Sequence, residues 1–249
     1  MQGLLFLSFP FTKANRSIPD KFNKHLDLNE AYVYNVTSFN ITKPLEWAPL
    51  NYSAPSKGFA NTTPGGQIRI NFTGFYNKDS YDYNIFESPI PYMDIEFIEN
   101  RLGTLVSNTT FYNISNGEAD MNLLLGYNQF RSGFLIPINH FDWLTQQAYN
   151  QDQGPYMNAT VIVEETPNNI TFDFKQLTFF QQKTKSIYDK ISGLLIYTNT
   201  SVGNYTLEMT LTNLPTFKSE SQNIPSYQLY IIFSIIIVIS IIYFAKLRK

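Results

Sequence analysis

The chain has 249 residues, 43% of them hydrophobic and 15% charged, which excludes a disordered polyelectrolyte and leaves room for one large domain or two small ones. Its formal net charge is -2 and no basic block precedes the last four residues, so the electrostatic footprint of a nucleic-acid-binding protein is missing. It has no cysteine, which rules out disulfides, thiolate metal sites and cysteine nucleophiles.

Residues 1–14 contain the short apolar run GLLFLSFPF, with no Lys or Arg before it and no small-residue cleavage site. They read as the remnant of an export signal or as an atypical export segment. Residues 15–214 form the predicted exterior domain. Aromatic residues are abundant, with 21 Phe and 17 Tyr, and such side chains suit pleated sheet surfaces. Residues 31–41 read as a strand, with Val33 and Val36 among tyrosines. Residues 44–66 carry Pro, Ser, Thr and Gly and close on Pro64-Gly65-Gly66, which marks a loop. Over 67–73, Ile68, Ile70 and Phe72 share one face while Arg69, Asn71 and Thr73 share the other. Strict alternation of this kind marks a half-buried antiparallel strand.

Residues 92–98 alternate Met93, Ile95 and Phe97 against Asp94 and Glu96. The strand 111–115 runs into Asn116-Gly117, a hairpin signal, and is expected to return as a strand over 118–125. Only 139–150 has a helical pattern, with Phe141, Leu144 and Ala148 at near-helical spacing. Alternation resumes at 159–163 and at 169–175, where Ile170, Phe172 and Phe174 oppose Asn169, Thr171, Asp173 and Lys175. Strands are expected at 182–188 and 194–198 about a turn at 189–193. A second turn at 199–203 leads into 204–211, where Tyr205, Leu207, Met209 and Leu211 alternate with polar residues.

Residues 215–225 are polar and read as a stalk. The next twenty, SYQLYIIFSIIIVISIIYFA at 226–245, carry no charge. As a helix they would span roughly 30 Å, the thickness of a bilayer's hydrocarbon core. Tyr227, Tyr230, Tyr243 and Phe244 fit the aromatic belts of the two interfaces, and the basic tail 246–249 fits the cytoplasmic side. The predicted class is therefore mainly β, a β-dominated α+β fold. It has an antiparallel sheet, curved or in a sandwich, one or two short helices, and one C-terminal transmembrane helix. The expected localisation is the cell membrane, single-pass, with the large domain outside and the C-terminus cytoplasmic. The expected partners are the lipid bilayer and a protein or glycan at the surface.

Asn-X-Ser/Thr acceptor triplets begin at Asn15, Asn35, Asn40, Asn51, Asn61, Asn71, Asn108, Asn113, Asn158, Asn169, Asn199 and Asn204. Random order of the same residues would give about 4 such triplets. The excess points to N-glycosylation, which requires surface positions. In the strands at 67–73, 169–175 and 204–211 the acceptor Asn falls on the polar face.

The segment Tyr188-Asp189-Lys190-Ile191-Ser192-Gly193-Leu194-Leu195, with Asn199-Thr200 and Gly203-Asn204-Tyr205-Thr206-Leu207-Glu208 after it, reads as a strand-turn-strand unit. Asp189 is suited to closing a side-chain turn and Gly193 to a positive φ. The unit resembles one in uncharacterised single-span, membrane-anchored surface glycoproteins of archaea, including Asgard lineages. The resemblance implies a β-rich exterior domain and no functional residues. By analogy alone, a curved sheet with helices in its concavity, as in the lipoprotein carriers of bacterial envelopes, is compatible with the pattern.

Catalytic chemistry is poorly represented. His25 and His140 are the two histidines, and neither stands in a zinc-binding pair or near a G-x-S-x-G nucleophile elbow. Asp94 and Glu96 share a strand face at a spacing open to a glycosidase pair, although alternating acids are ordinary on a solvated face. Asp79, Asp82 and Asn84 offer oxygens for Ca²⁺ at a spacing unlike an EF-hand loop. No catalytic residue, cofactor or metal ligand is assigned. The sequence reads as a membrane-anchored, N-glycosylated surface protein with a non-enzymatic binding, adhesion or envelope role. Alternatives are an exterior carboxylate-dependent glycan hydrolase and a carrier of lipid or other apolar ligands.

Overall fold

A computed structural model describes residues 18–28, 30–41, 45–47, 52–54, 61–76, 89–127, 130–152, 159–177 and 181–214. The chain divides into two compact units, Met1–Pro215 and Thr216–Lys249, and every described residue belongs to the first. In chain order the elements are β1 (Tyr32–Asn40), β2 (Leu45–Trp47), β3 (Tyr52–Ala54), β4 (Gln67–Tyr76), β5 (Ile90–Arg101), β6 (Thr104–Ser115), α1 (Asn116–Leu123), α2 (Phe141–Asp152), β7 (Ala159–Glu165), β8 (Asn169–Gln176), β9 (Lys183–Asp189), β10 (Leu195–Val202) and β11 (Tyr205–Leu211). Nine strands form one antiparallel sheet in the order β6-β5-β4-β1-β11-β10-β9-β8-β7, and β2 and β3 pair separately. Of the two expected arrangements, a single large sheet is the one adopted.

Period-two patterning builds the core on one face of that sheet. Tyr32, Tyr34 and Val36 of β1 are buried with Ile68, Ile70 and Phe72 of β4 and Ile95 and Phe97 of β5. Ile170, Phe172 and Phe174 of β8 and Tyr205, Leu207 and Met209 of β11 extend the same layer. Their alternate neighbours are mostly polar and form an outer face.

The inner face is partly polar. Thr184 and Thr200 share a hydrogen bond of 2.7 Å, and Ser186 and Thr198 one of 3.2 Å, all four side chains being buried. The end of α1 at Leu123 and the chain at 124–127 and 130–135 are stitched onto this face through their carbonyls. Tyr205 Oη donates to Leu123 O at 2.9 Å, Ser186 Oγ to Leu125 O at 2.8 Å, Gln182 Nε2 to Gly126 O at 2.7 Å and Tyr188 Oη to Gly133 O at 2.8 Å. Asn116 fastens the same segment from α1. Its Nδ2 donates to Ser132 O and Leu135 O, and its Oδ1 accepts from the backbone N–H of Phe134 and Leu135. Buried polar groups are costly unless paired, and here loop backbone and strand hydroxyls pair each other.

Several expectations are corrected. The chain does not turn back as a strand after Asn116-Gly117: 116–123 is α1. Ser115 is its N-cap, accepting from Glu118 N–H at 3.1 Å, while the Glu118 carboxylate accepts from Ser115 N–H at 3.0 Å. This reciprocal capping box satisfies two donors that a hairpin turn would leave otherwise engaged. The turn expected at 199–203 starts later, because β10 continues to Val202. The loop expected at 44–66 contains the small β2–β3 pair.

The expected transmembrane helix is also corrected. No helix among the described residues is long and apolar enough to cross a membrane. α1 has 8 residues and α2 has 12, against the roughly 20 that a bilayer core requires. The run 226–245, the stalk and the basic tail lie outside the described residues, as does the segment 1–14. The single-pass topology, the membrane localisation, the lipid partner and the membrane-anchored role built on that helix are set aside with it. What stands, among the described residues, is a mainly β fold with two short helices.

Candidate binding groove on the outer face of the sheet

A groove of about 270 Å³ opens on the outer face of β4, β5 and β6, lined chiefly by Arg69, Asn71, Asp94, Glu96, Thr110 and Tyr112. Strand register places these groups together. Arg69 lies opposite Glu96 and Asn71 opposite Asp94 across the β4–β5 pair, and Glu96 lies opposite Thr110 across β5–β6. On the other side, β1 begins at Tyr32 opposite Ile70, so Asn71 has no β1 partner and Ala31 forms the groove's rim.

The polar groups are held in place by their neighbours. The Arg69 guanidinium donates from Nε and Nη2 to Gln67 Oε1, at 3.2 and 2.9 Å, and its Nη1 lies 3.8 Å from Glu96 Oε2. Asp94 Oδ1 accepts from Asn113 N–H at 2.8 Å. Tyr112 is 73% exposed, an aromatic ring standing in solvent beside fixed donors and acceptors. The Arg69–Glu96 pair is part-exposed and screened, so its worth lies in orientation more than in stability.

The sequence singled out Asp94 and Glu96 for their shared face, and the structure brings both to this groove. As neighbours two apart on one strand their Cα atoms are separated by roughly 7 Å. Yet neither lies in the enclosed apolar setting that turns a carboxylic acid into a proton donor at neutral pH. Both are part-exposed, one accepting from a backbone N–H and the other facing a guanidinium. His25 and His140 are exposed and neither lines the groove. Among the described residues no group of three or more His, Cys, Asp or Glu could hold a metal ion. Asp79, Asp82 and Asn84 lie outside the described residues.

Thr110 and Tyr112 were not singled out by sequence. Their strand shifts register against β5 twice, between Met93 and Ile95 and between Phe97 and Ile98, which breaks the alternation that would have marked their face. The signal that remained was Tyr112 itself, an aromatic at the same face position as polar neighbours.

Of the acceptor asparagines, Asn35, Asn40, Asn71, Asn108, Asn113, Asn199 and Asn204 are exposed, and Asn61 and Asn169 are half-buried. Asn15, Asn51 and Asn158 lie outside the described residues. The amide of Asn61 donates to Thr109 Oγ1 at 2.6 Å and that of Asn108 to the Glu99 carboxylate.

A second polar cluster lies inside the fold. Asp120 of α1 is buried, and its Oδ1 has no hydrogen-bond partner. Burial raises its pKa from the ordinary 3.8 to about 7. The charge of Arg131 and the backbone N–H groups of Gly133 and Gly126 oppose that rise without cancelling it.

No known protein family matches this chain, and no curated protein is significantly similar to it.

Proposed function

We propose that this protein is a non-catalytic binding domain whose outer groove takes a hydroxyl-rich ligand of sugar size. The observation that carries this reading is Tyr112, standing exposed at the edge of a groove furnished with a guanidinium, two carboxylates, an amide and a hydroxyl. An aromatic face is electron-rich and attracts the polarised C–H groups on the apolar side of a sugar ring. Vicinal hydroxyls donate and accept together, and the mixed set of Arg69, Asn71, Asp94, Glu96 and Thr110 offers both functions. Arg69 and Glu96 offset each other's charge and Asp94 leaves one negative charge, so the groove disfavours anions and suits a neutral polyol that can donate to the carboxylates. A few convergent polar groups beside an aromatic wall is the usual composition of a small-ligand site.

The test is isothermal titration of the full chain with neutral mono- and oligosaccharides. Binding that weakens about tenfold in Tyr112→Ala and in Arg69→Ala, a loss of about 1.4 kcal/mol each, supports the reading. No binding to any saccharide, or binding that ignores both substitutions, overturns it.

A further inference from the structure

The β5–β6 hairpin presents a side chain that its own fold does not explain. Leu102 and Gly103 form its turn, with φ of +53° and +86°. Positive φ at both positions is the type I′ turn, which favours Asn, Asp and Gly, and a leucine there is strained. Leu102 gains no burial from this, since it is fully exposed, and Leu105 just past the turn is 44% exposed. The hairpin is nonetheless braced. Arg101 pairs with Glu99 at 2.8 Å, Gly103 N–H donates to Asn100 Oδ1 at 2.7 Å, and Asn100 N–H donates to Thr63 Oγ1 at 2.9 Å.

Asn100 lies opposite Leu105, and its N–H turns away from β6 to reach Thr63. Bonding direction alternates along an antiparallel pair, so the N–H and C=O of Leu105 turn away from β5, as do those of Ser107. Among the described residues β6 is the last strand on its side, and these groups face an open edge. Natural sheets guard such edges with charge or with bulges. β6 has no charged residue, and its register shifts leave 104–107 regular. The outermost strand on the other side, β7, ends in Glu164-Glu165 and has α2 against it.

We propose that the tip of the β5–β6 hairpin, residues 102–108, pairs edge to edge with the same tip of a second copy of this chain. A free ladder edge is satisfied by another free edge, and of the two edges of the described nine-stranded sheet β6 is the unguarded one, so its complement is itself. A two-fold axis at Val106 sets that residue against its own copy, Leu105 opposite Ser107 of the second copy, and Thr104 opposite its Asn108. Leu105 and Ser107 are the residues whose backbone groups are free, so each such pair exchanges both N–H···O bonds. Every position of this ladder is uncharged, so self-pairing meets no repulsion. The antiparallel direction carries Leu102 along the second copy's edge beyond its Asn108, where it finds the cover that one copy alone does not provide. The contact is isologous and closes on itself, which gives dimers rather than fibres. A ladder this short belongs to the weak, transient interfaces, below about 1,200 Å² in total.

Amide exchange of the full chain, compared at about 10 µM and about 1 mM, tests this. At the higher concentration protection at Leu105 and Ser107 rises about tenfold, while amides along β7 stay unchanged. Sedimentation of the same samples shows the mean mass rising from one chain toward two. Ser107→Pro removes a donor that faces solvent in the single copy, so the fold survives and both effects vanish. Leu105→Lys guards the edge with a charge at an exposed position and has the same outcome, which decides the matter if the proline variant does not fold. Leu102→Gly relieves the strained turn, so it raises the denaturation midpoint of the single chain and weakens pairing about tenfold. Exchange at Leu105 and Ser107 that ignores concentration overturns the proposal, as does self-association undiminished in a folded Leu105→Lys.

Discussion

Gly133 and Gly103 show how differently one missing Cβ can matter. Both have positive φ, +62° and +86°, where an L side chain is strained. At Gly103, in the tight turn between β5 and β6, an added Cβ meets nothing within 4 Å. At Gly133 it would lie 2.4 Å from Asn116 Oδ1, the atom that accepts from Phe134 and Leu135. Gly103→Ala should therefore cost only the backbone term, about 1 kcal/mol. Gly133→Ala must also displace the Asn116 staple and should cost about 3 kcal/mol or more. Urea denaturation of the two variants checks the contrast, and equal losses would show that the Asn116 side chain yields without consequence. Neither glycine's weight was legible in the sequence, because the difference lies in what each approaches and the local residues are silent on that.

At the scale of elements, α1 rests on its cap. Its buried residues are Asn116, Gly117, Ala119, Asp120 and Leu123, a face too polar to form an amphipathic stripe. That is why periodicity did not reveal it and why Asn116-Gly117 read as a hairpin turn. The informative signal was Ser115-Asn116-Gly117-Glu118, a Ser three residues before a Glu. Ser115→Ala should cost about 1 kcal/mol and Glu118→Gln less, measured as shifts in the denaturation midpoint; a neutral Ser115→Ala would mean that Asn116 alone holds the helix start. Strands β4, β8 and β11 were legible because each has one apolar and one polar face. β9, at Lys183–Asp189, lies within one residue of the strand expected at 182–188, although its inward residues include Thr184, bonded to Thr200, and Ser186, which donates to Leu125 O. β6 was seen only in its last five positions. It carries two register shifts, and among the described residues it is the last strand on its side of the sheet. Bulges on an edge strand interrupt the row of free N–H and C=O groups, which discourages pairing with another chain. Asn113 lies in the shift opposite Met93–Ile95, where its N–H donates to Asp94 at the groove.

For the folded unit as a whole, one sheet faces solvent on one side and a polar-stitched cover on the other, and its pH response follows from that division. The outer-face and loop ion pairs are exposed enough that solvent screens them. Asp120 is different because folding removes it from water. Its folded value of about 7 exceeds the ordinary 3.8, so between these values the native state keeps a proton that the unfolded chain gives up. Stability from this group is therefore complete below about pH 3.8 and is lost as pH rises through about 7. Between pH 5 and pH 8 the loss amounts to about 2–3 kcal/mol, an upper figure for a single group with these two values. This trend is opposite to that of a chain stabilised by surface carboxylate pairs, which weakens in acid. Urea unfolding of the full chain at the two pH values should show the higher midpoint at pH 5, with the difference persisting in high salt because the carboxyl is shielded from ions. In Asp120→Asn the two midpoints should converge. A wild-type midpoint that rises from pH 5 to pH 8 would place the governing charges on the outer face instead, and would mean that the Arg131 guanidinium compensates the buried carboxylate in full.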